Sequence, residues 1–147
     1  MLNAVPLFLF SLALAGAPEG TPPAPAELTV EVGKLRNLRG VLGCQIFERA
    51  DGFPSQGQKA KARQEHVPQG NFVTCSFKDL PPGQYAVAVI HDEDQDGILE
   101  TNFLGMPQEG YGASNNKLPG LSAPTFEDSR LTIGPGEKKT IKIELRY

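Results

Sequence analysis

Phe77-Lys-Asp-Leu-Pro-Pro-Gly-Gln-Tyr-Ala-Val-Ala-Val-Ile90 decides the fold class of this chain. Pro81-Pro82-Gly83 reads as a turn, because proline presets φ and glycine enters conformations closed to other residues. Tyr85–Ile90 then runs without a polar break (YAVAVI), as a central strand covered on both faces does. Before the turn, Val73, Cys75 and Phe77 recur at every second position of Phe72–Phe77, the period of a strand with one buried face. A strand, a tight turn and a second strand make an antiparallel pair.

The same pattern extends outward. Leu28, Val30 and Val32 alternate with Thr29 and Glu31 up to Gly33, and Val41–Phe47 carries Leu42, Cys44 and Ile46 on one face. Near the end, Ile141, Ile143 and Leu145 oppose Lys142, Glu144 and Arg146 within Lys139–Arg146, and Thr125–Ile133 reads as one further strand. Gln56–His66 is the single segment with helical character, weakened by Gly57. Sixteen glycines and thirteen prolines in 147 residues fall between these runs as punctuation. Strands at short intervals separated by turns predict an all-β antiparallel β-sandwich. The length suits one domain, residues 27–147, with an export segment before it.

That segment is residues 1–17. Val5–Ala15 is apolar but, at eleven residues, too short to span a bilayer, and it suits the apolar region of a signal peptide. Ala15 and Ala17, or Ala13 and Ala15, supply the small residues a signal peptidase reads. Basic residues are missing before the run, a departure from the usual pattern, and a buried N-terminal helix is the competing reading. No cysteine follows for a lipid anchor. Residues 18–26 form a Pro-rich linker. The expectation is therefore a periplasmic or secreted protein with no transmembrane span once mature. In that setting Cys44 and Cys75, each on the apolar face of its strand, pair as a disulfide rather than remain two buried thiols.

Charge is uneven. Basic residues dominate Lys34–Arg63, whereas between Lys78 and Lys117 there is no Lys or Arg and there are seven acids. The formal net charge of −3 leaves no footprint for nucleic acid. Within the acidic stretch, His91-Asp-Glu-Asp-Gln-Asp-Gly-Ile-Leu-Glu100 sets carboxylates at Asp92, Asp94 and Asp96, then Gly97, then Glu100. Hard cations such as calcium take six to eight oxygens, and alternating acids around a tight loop deliver them, with the Ile98 carbonyl and Glu100 completing the candidate set. Phe103 stands where an EF-hand places its bidentate Glu, so the expected affinity is modest, on the order of 10⁻⁴–10⁻³ M. The alternative is an Asp/Gly-rich turn whose carboxylates cap backbone N–H groups and bind nothing.

Phe77-Lys-Asp-Leu-Pro-Pro-Gly-Gln-Tyr-Ala-Val resembles the strand–turn–strand of prealbumin-like bacterial sandwiches. Together with His91-Asp-Glu-Asp-Gln-Asp-Gly, Asn102–Asn116 and Pro124-Thr-Phe-Glu-Asp128, it makes the chain similar to the bacterial family called domain of unknown function 2141. Asp94 stands where that family usually has Asn, and Ala113 where it usually has Phe. The resemblance implies an exported immunoglobulin-like or prealbumin-like sandwich of about seven strands and no established activity.

Gly105–Asn116 carries Glu109, Tyr111, Ser114, Asn115 and Asn116 among glycines; with His91 they form the candidate ligand-binding set, an inventory that suits a polar ligand, while the competing reading is a connection that satisfies its own backbone. The expected function is a noncatalytic binding or structural module, with calcium in the acidic loop and an envelope protein, a peptide or a glycan as partner. The rival is a small hydrolase using Ser114, His91 and Glu109, although Gly112-Ala-Ser-Asn-Asn lacks the glycine that follows a nucleophile elbow.

Overall fold

A computed structural model describes residues 20–147. Its elements are β1 (Ala26–Gly33), β2 (Val41–Phe47), β3 (Ala62–His66), β4 (Val73–Leu80), β5 (Gly83–Asp92), β6 (Gly110–Ala113), α1 (Phe126–Ser129), β7 (Leu131–Ile133) and β8 (Lys138–Glu144). They form a two-sheet sandwich. One sheet has the order β4-β1-β8, and the other β3-β2-β5-β6 with β7 also on β5. β6 pairs with Ala88–His91 and β7 with Gly83–Tyr85, so the two short strands share one edge of β5. Every pairing is antiparallel except that of β1 with β8.

The alternation read from the sequence becomes the core. Leu28, Val30 and Val32 of β1, Cys75 and Phe77 of β4 and Ile143 of β8 meet Leu42, Cys44 and Ile46 of β2 and Tyr85, Val87 and Val89 of β5. Cys44 and Cys75 are joined by a disulfide that crosses between the sheets, Cα to Cα 6.5 Å. The opposite face of β5 carries a smaller cluster in which Phe47, Ala86, Ala88 and Phe126 pack with Phe53. This is why YAVAVI has no polar break: both of its faces are covered. The Tyr85 hydroxyl donates to the Pro81 carbonyl at 2.6 Å, closing the turn from inside.

Side-chain amides finish the edges of the smaller sheet. Gln64 reaches from β3 to pair with Ser76, its amide donating to the carbonyl and its oxygen accepting from the Ser76 N–H. Asn116 treats β8 in the same way, donating to the Lys142 carbonyl and accepting from the Glu144 N–H. Each amide imitates one residue of a neighbouring strand, so an exposed ladder does not recruit another chain there.

Several boundaries differ from expectation. Gln56–His66 holds a single 3₁₀ turn, Gly57–Lys59, and then β3, because pairing with β2 overrides its helix-forming residues. Thr125–Ile133 is split: Thr125 caps α1 by accepting from the Asp128 N–H, and only Leu131–Ile133 is strand. Ala26, assigned above to the linker, opens β1 and is buried. The expected signal peptide, residues 1–17, and the first residues of the linker lie outside the described residues. Among those described, no helix is long and apolar enough to cross a membrane.

Candidate functional site

β5 ends at Asp92, and the acidic loop begins there. Asp92, Asp94 and Asp96 bring one carboxylate oxygen each to within 4.8 Å of the others, with Asp92 buried and the other two exposed. The loop is held in that shape by its own acids. Asp92 accepts from the N–H groups of Gln95 at 2.7 Å and Gly97 at 2.8 Å, Asp94 from Asp96, and Asp96 from Ile98. Gly97 takes a positive φ of 76°, which lets the chain turn back. A carboxylate oxygen has two lone pairs and each backbone donor takes one, so the cluster retains acceptor capacity toward a cation. Glu100 is not among the three convergent carboxylates; it lies exposed past the turn, and the Ile98 side chain is exposed as well.

Residues far away in sequence anchor the loop. Glu109, 4% exposed, accepts from the Glu93 N–H at 2.8 Å and faces the Glu100 N–H at 3.5 Å, so one carboxylate ties both shoulders together. Burial pushes its pKa up, opposed by these two N–H groups. Arg36 binds Glu93 at 2.6 Å and donates to the Gln108 carbonyl at 3.0 Å. That bond, ahead of an opposing desolvation, holds the Glu93 carboxyl below its ordinary range. The Arg36 guanidinium also stacks on Tyr147, 4.5 Å from the ring centroid.

His91 is wholly buried beside this group. Its Nε2 faces the Arg39 carbonyl at 2.7 Å and its Nδ1 the Tyr147 hydroxyl at 2.8 Å. A carbonyl only accepts, so Nε2 donates to Arg39, and Nδ1 is left to pair with the Tyr147 hydroxyl. The hydroxyl in turn accepts from the Arg36 N–H at 3.1 Å. Room for the tyrosine exists because position 110 is glycine: a Cβ there would stand 2.6 Å from its ring.

Ser114, Asn115 and Asn116 lie apart from the acidic loop and are spent on backbone. Ser114 is buried, accepts from the Val87 N–H at 2.9 Å and donates to the Ser129 carbonyl. Asn115 donates to the carbonyls of Asp128 and Arg130, and Asn116 covers β8. Both take positive φ, the conformation asparagine tolerates best after glycine. The Ser-Asn-Asn run therefore staples β5, α1 with the Arg130 that follows it, and β8. Ser114, His91 and Glu109, the rival hydrolytic set, each hold a different part of the backbone, and the structure does not bring them to one point.

Tyr111 belongs to a second feature. On the outer face of β5 and β6 a cleft of about 300 Å³ has Ala88, Ile90 and Tyr111 in its floor. The loops at Pro54–Ser55, 99–107 and 120–124 frame it, and no charged side chain lines it. Leu121 of its lining is 91% exposed, and Phe103, 95% exposed, Leu104 and Ile98 adjoin lining residues in sequence and are also largely exposed. Sequence reasoning missed this surface, and it missed Arg36 and Tyr147 as supports of the loop. The exposed Phe103-Leu104 pair in a Gly- and Pro-bearing segment was the one available signal.

A disulfide-linked, two-sheet β-sandwich with an acidic loop at the end of its central strand is the class these features define. The chain belongs to the family described as "Uncharacterized protein conserved in bacteria (DUF2141)", which matches residues 30–142. No curated protein and no solved structure matches it.

Proposed function

We propose that this protein is an exported, noncatalytic binding or structural module of the bacterial envelope whose Asp92–Glu100 loop takes a calcium ion. The convergence of the Asp92, Asp94 and Asp96 carboxylates within 4.8 Å carries this reading. Three negative groups so close repel one another, and a hard cation relieves the repulsion. The loop's shape comes from bonds to its own backbone and to Glu109, so little ordering is left for the cation to impose. Asp92, Asp94 and Asp96 are the ligands, with Glu100 and the Ile98 carbonyl adjoining. The Cys44–Cys75 disulfide supports an oxidising compartment such as the periplasm or the exterior. The cleft beside the loop supplies the binding surface, and a peptide, a glycan or an envelope protein is the class of partner.

Calcium titration tests the metal. With a dissociation constant of about 1 mM, 10 mM calcium should stabilise the fold by about 1.4 kcal/mol. The unfolding midpoint then rises by roughly 3–6 °C. Magnesium, which dehydrates reluctantly, should do less. Asp94→Ala with Asp96→Ala should abolish the shift and lower the metal-free midpoint only slightly, since each exposed side chain gives up one bond to a loop N–H. No calorimetric heat at millimolar calcium would reduce the loop to a self-capped turn.

A further inference from the structure

We infer that the cleft on the outer face of β5 and β6 binds a peptide segment whose apolar side chains adjoin basic residues. This deepens the binding-module reading and rests on it.

Shape selects a peptide. At about 300 Å³ the cleft lies at the lower limit for a small-molecule site. Its volume suits one or two apolar side chains. Leu121 of the lining is largely exposed, and so are Phe103 and Leu104, which lie in the chain between the lining residues Thr101 and Gly105, so apolar surface continues on the loop that frames the cleft. Apolar side chains this exposed, clustered around a concave site, mark an interaction surface. A compact ligand would leave them in water, whereas an extended chain crossing the mouth covers them. A glycan fits poorly, because the lining offers few polar side chains to pair with its hydroxyls.

Charge selects a basic segment. Leu99 and Thr101 line the cleft, and the exposed Glu100 lies between them. Asp94 and Asp96 are exposed on the same loop. The cation nearest in sequence to each of two rims is paired, Lys117 with Asp128 at 3.9 Å beside residues 120–124 and Lys59 with Asp51 at 2.7 Å beside Pro54–Ser55. The field at the mouth therefore favours Lys or Arg and disfavours carboxylates. It also disfavours the anionic headgroups that an exposed apolar patch would otherwise meet on a membrane.

The test uses the purified protein in chelator and repeats the comparison in about 10 mM calcium, which should narrow but not reverse the preference because the four carboxylates of Asp92, Asp94, Asp96 and Glu100 exceed the two charges of the ion. Two fluorescent pentapeptides share a Leu-Phe-Leu core and end in either two lysines or two glutamates. The lysine form should bind about tenfold more tightly, and the difference should shrink toward parity in about 1 M salt as charges are screened. Phe103→Ser with Leu121→Ser removes two exposed side chains that the core does not use, and should weaken the lysine peptide about tenfold. Glu100→Gln should narrow the preference between the peptides without abolishing binding. Equal affinity for the two peptides, or an unchanged affinity in the double variant, overturns the inference. So does capture by phosphatidylserine vesicles with no peptide binding. Uptake of the neutral probe N-phenyl-1-naphthylamine without either peptide also overturns it, but leaves the binding-module reading standing. Failure of peptides, probe and vesicles alike overturns the inference and removes the cleft as the binding surface, while the calcium loop stands or falls on its own titration.

Discussion

Gly40 sits at a φ of +67°, and a Cβ there would lie 1.9 Å from the Asp92 carbonyl oxygen. No side chain shares that space, and the atom in the way is backbone with nowhere to retreat. Gly40→Ala should therefore cost about 2–4 kcal/mol, the sum of a left-handed conformation and an overpacked contact. Urea unfolding would read it as a lower midpoint at unchanged slope. At this scale the sequence was informative where chemistry is local. Asp92, Asp94 and Asp96 alternate in one loop, and their convergence could be foreseen from that alternation. Glu109 and Arg36 reach the loop at Glu93 across separations of 16 and 57 residues, and Tyr147 backs Arg36 from 111 residues away. Nothing in a single sequence pairs positions so distant. Ser114, Asn115 and Asn116 misled for a related reason: a polar run among glycines looks the same whether it faces a ligand or the protein's own carbonyls.

At the scale of elements, legibility followed burial. β1, β5 and β8 declare themselves because water-facing and core-facing positions alternate, or because both faces are covered. β3 hid its nature: Ala-Arg-Gln-Glu-His is mostly exposed, and only its ladder with β2 makes it a strand. Thr125 announced α1 through the carboxylate three residues on, a capping pattern that the apolar Phe126 and Leu131 obscured. The turn between β7 and β8 carries a pH dependence. Glu137 accepts from the Gly134 N–H at 2.6 Å and pairs with Lys139 at 3.0 Å, and these contacts, in that order, hold its carboxyl below the ordinary range. A depressed pKa stabilises the fold above the unfolded-state value, and that contribution is lost as pH falls through the folded one. Glu137→Gln should flatten this part of the stability profile below about pH 5, where an unperturbed Glu titrates. NMR titration should place the native carboxyl below the free amino acid's value.

Across the whole molecule, the disulfide and the order of the strands matter most. The pairing of Cys44 with Cys75 was readable because both cysteines fell in phase with their apolar neighbours. Closing a separation of 31 residues restricts the unfolded chain. Replacing both cysteines with alanine should cost about 3–4 kcal/mol in chemical denaturation. The parallel alignment of β1 and β8 was not readable, since alternation fixes which face of a strand is buried but not which strand lies beside it.

That alignment has a mechanical consequence. β1 is the first strand of the described chain and β8 the last, and they lie side by side and parallel over seven residue pairs. Traction on the two ends of the domain pulls these neighbours in opposite directions along their common axis. The ladder is then loaded in shear, all its bonds together, instead of being peeled open one at a time. Once the ladder yields, the crosslinked stretch from Cys44 to Cys75 still cannot pay out. Single-molecule stretching should therefore show a high first rupture force, and an unfolded length that grows by roughly 100 Å when the disulfide is reduced. A protein so connected resists tension better than its modest size suggests, and it keeps part of its chain in reserve when it gives way.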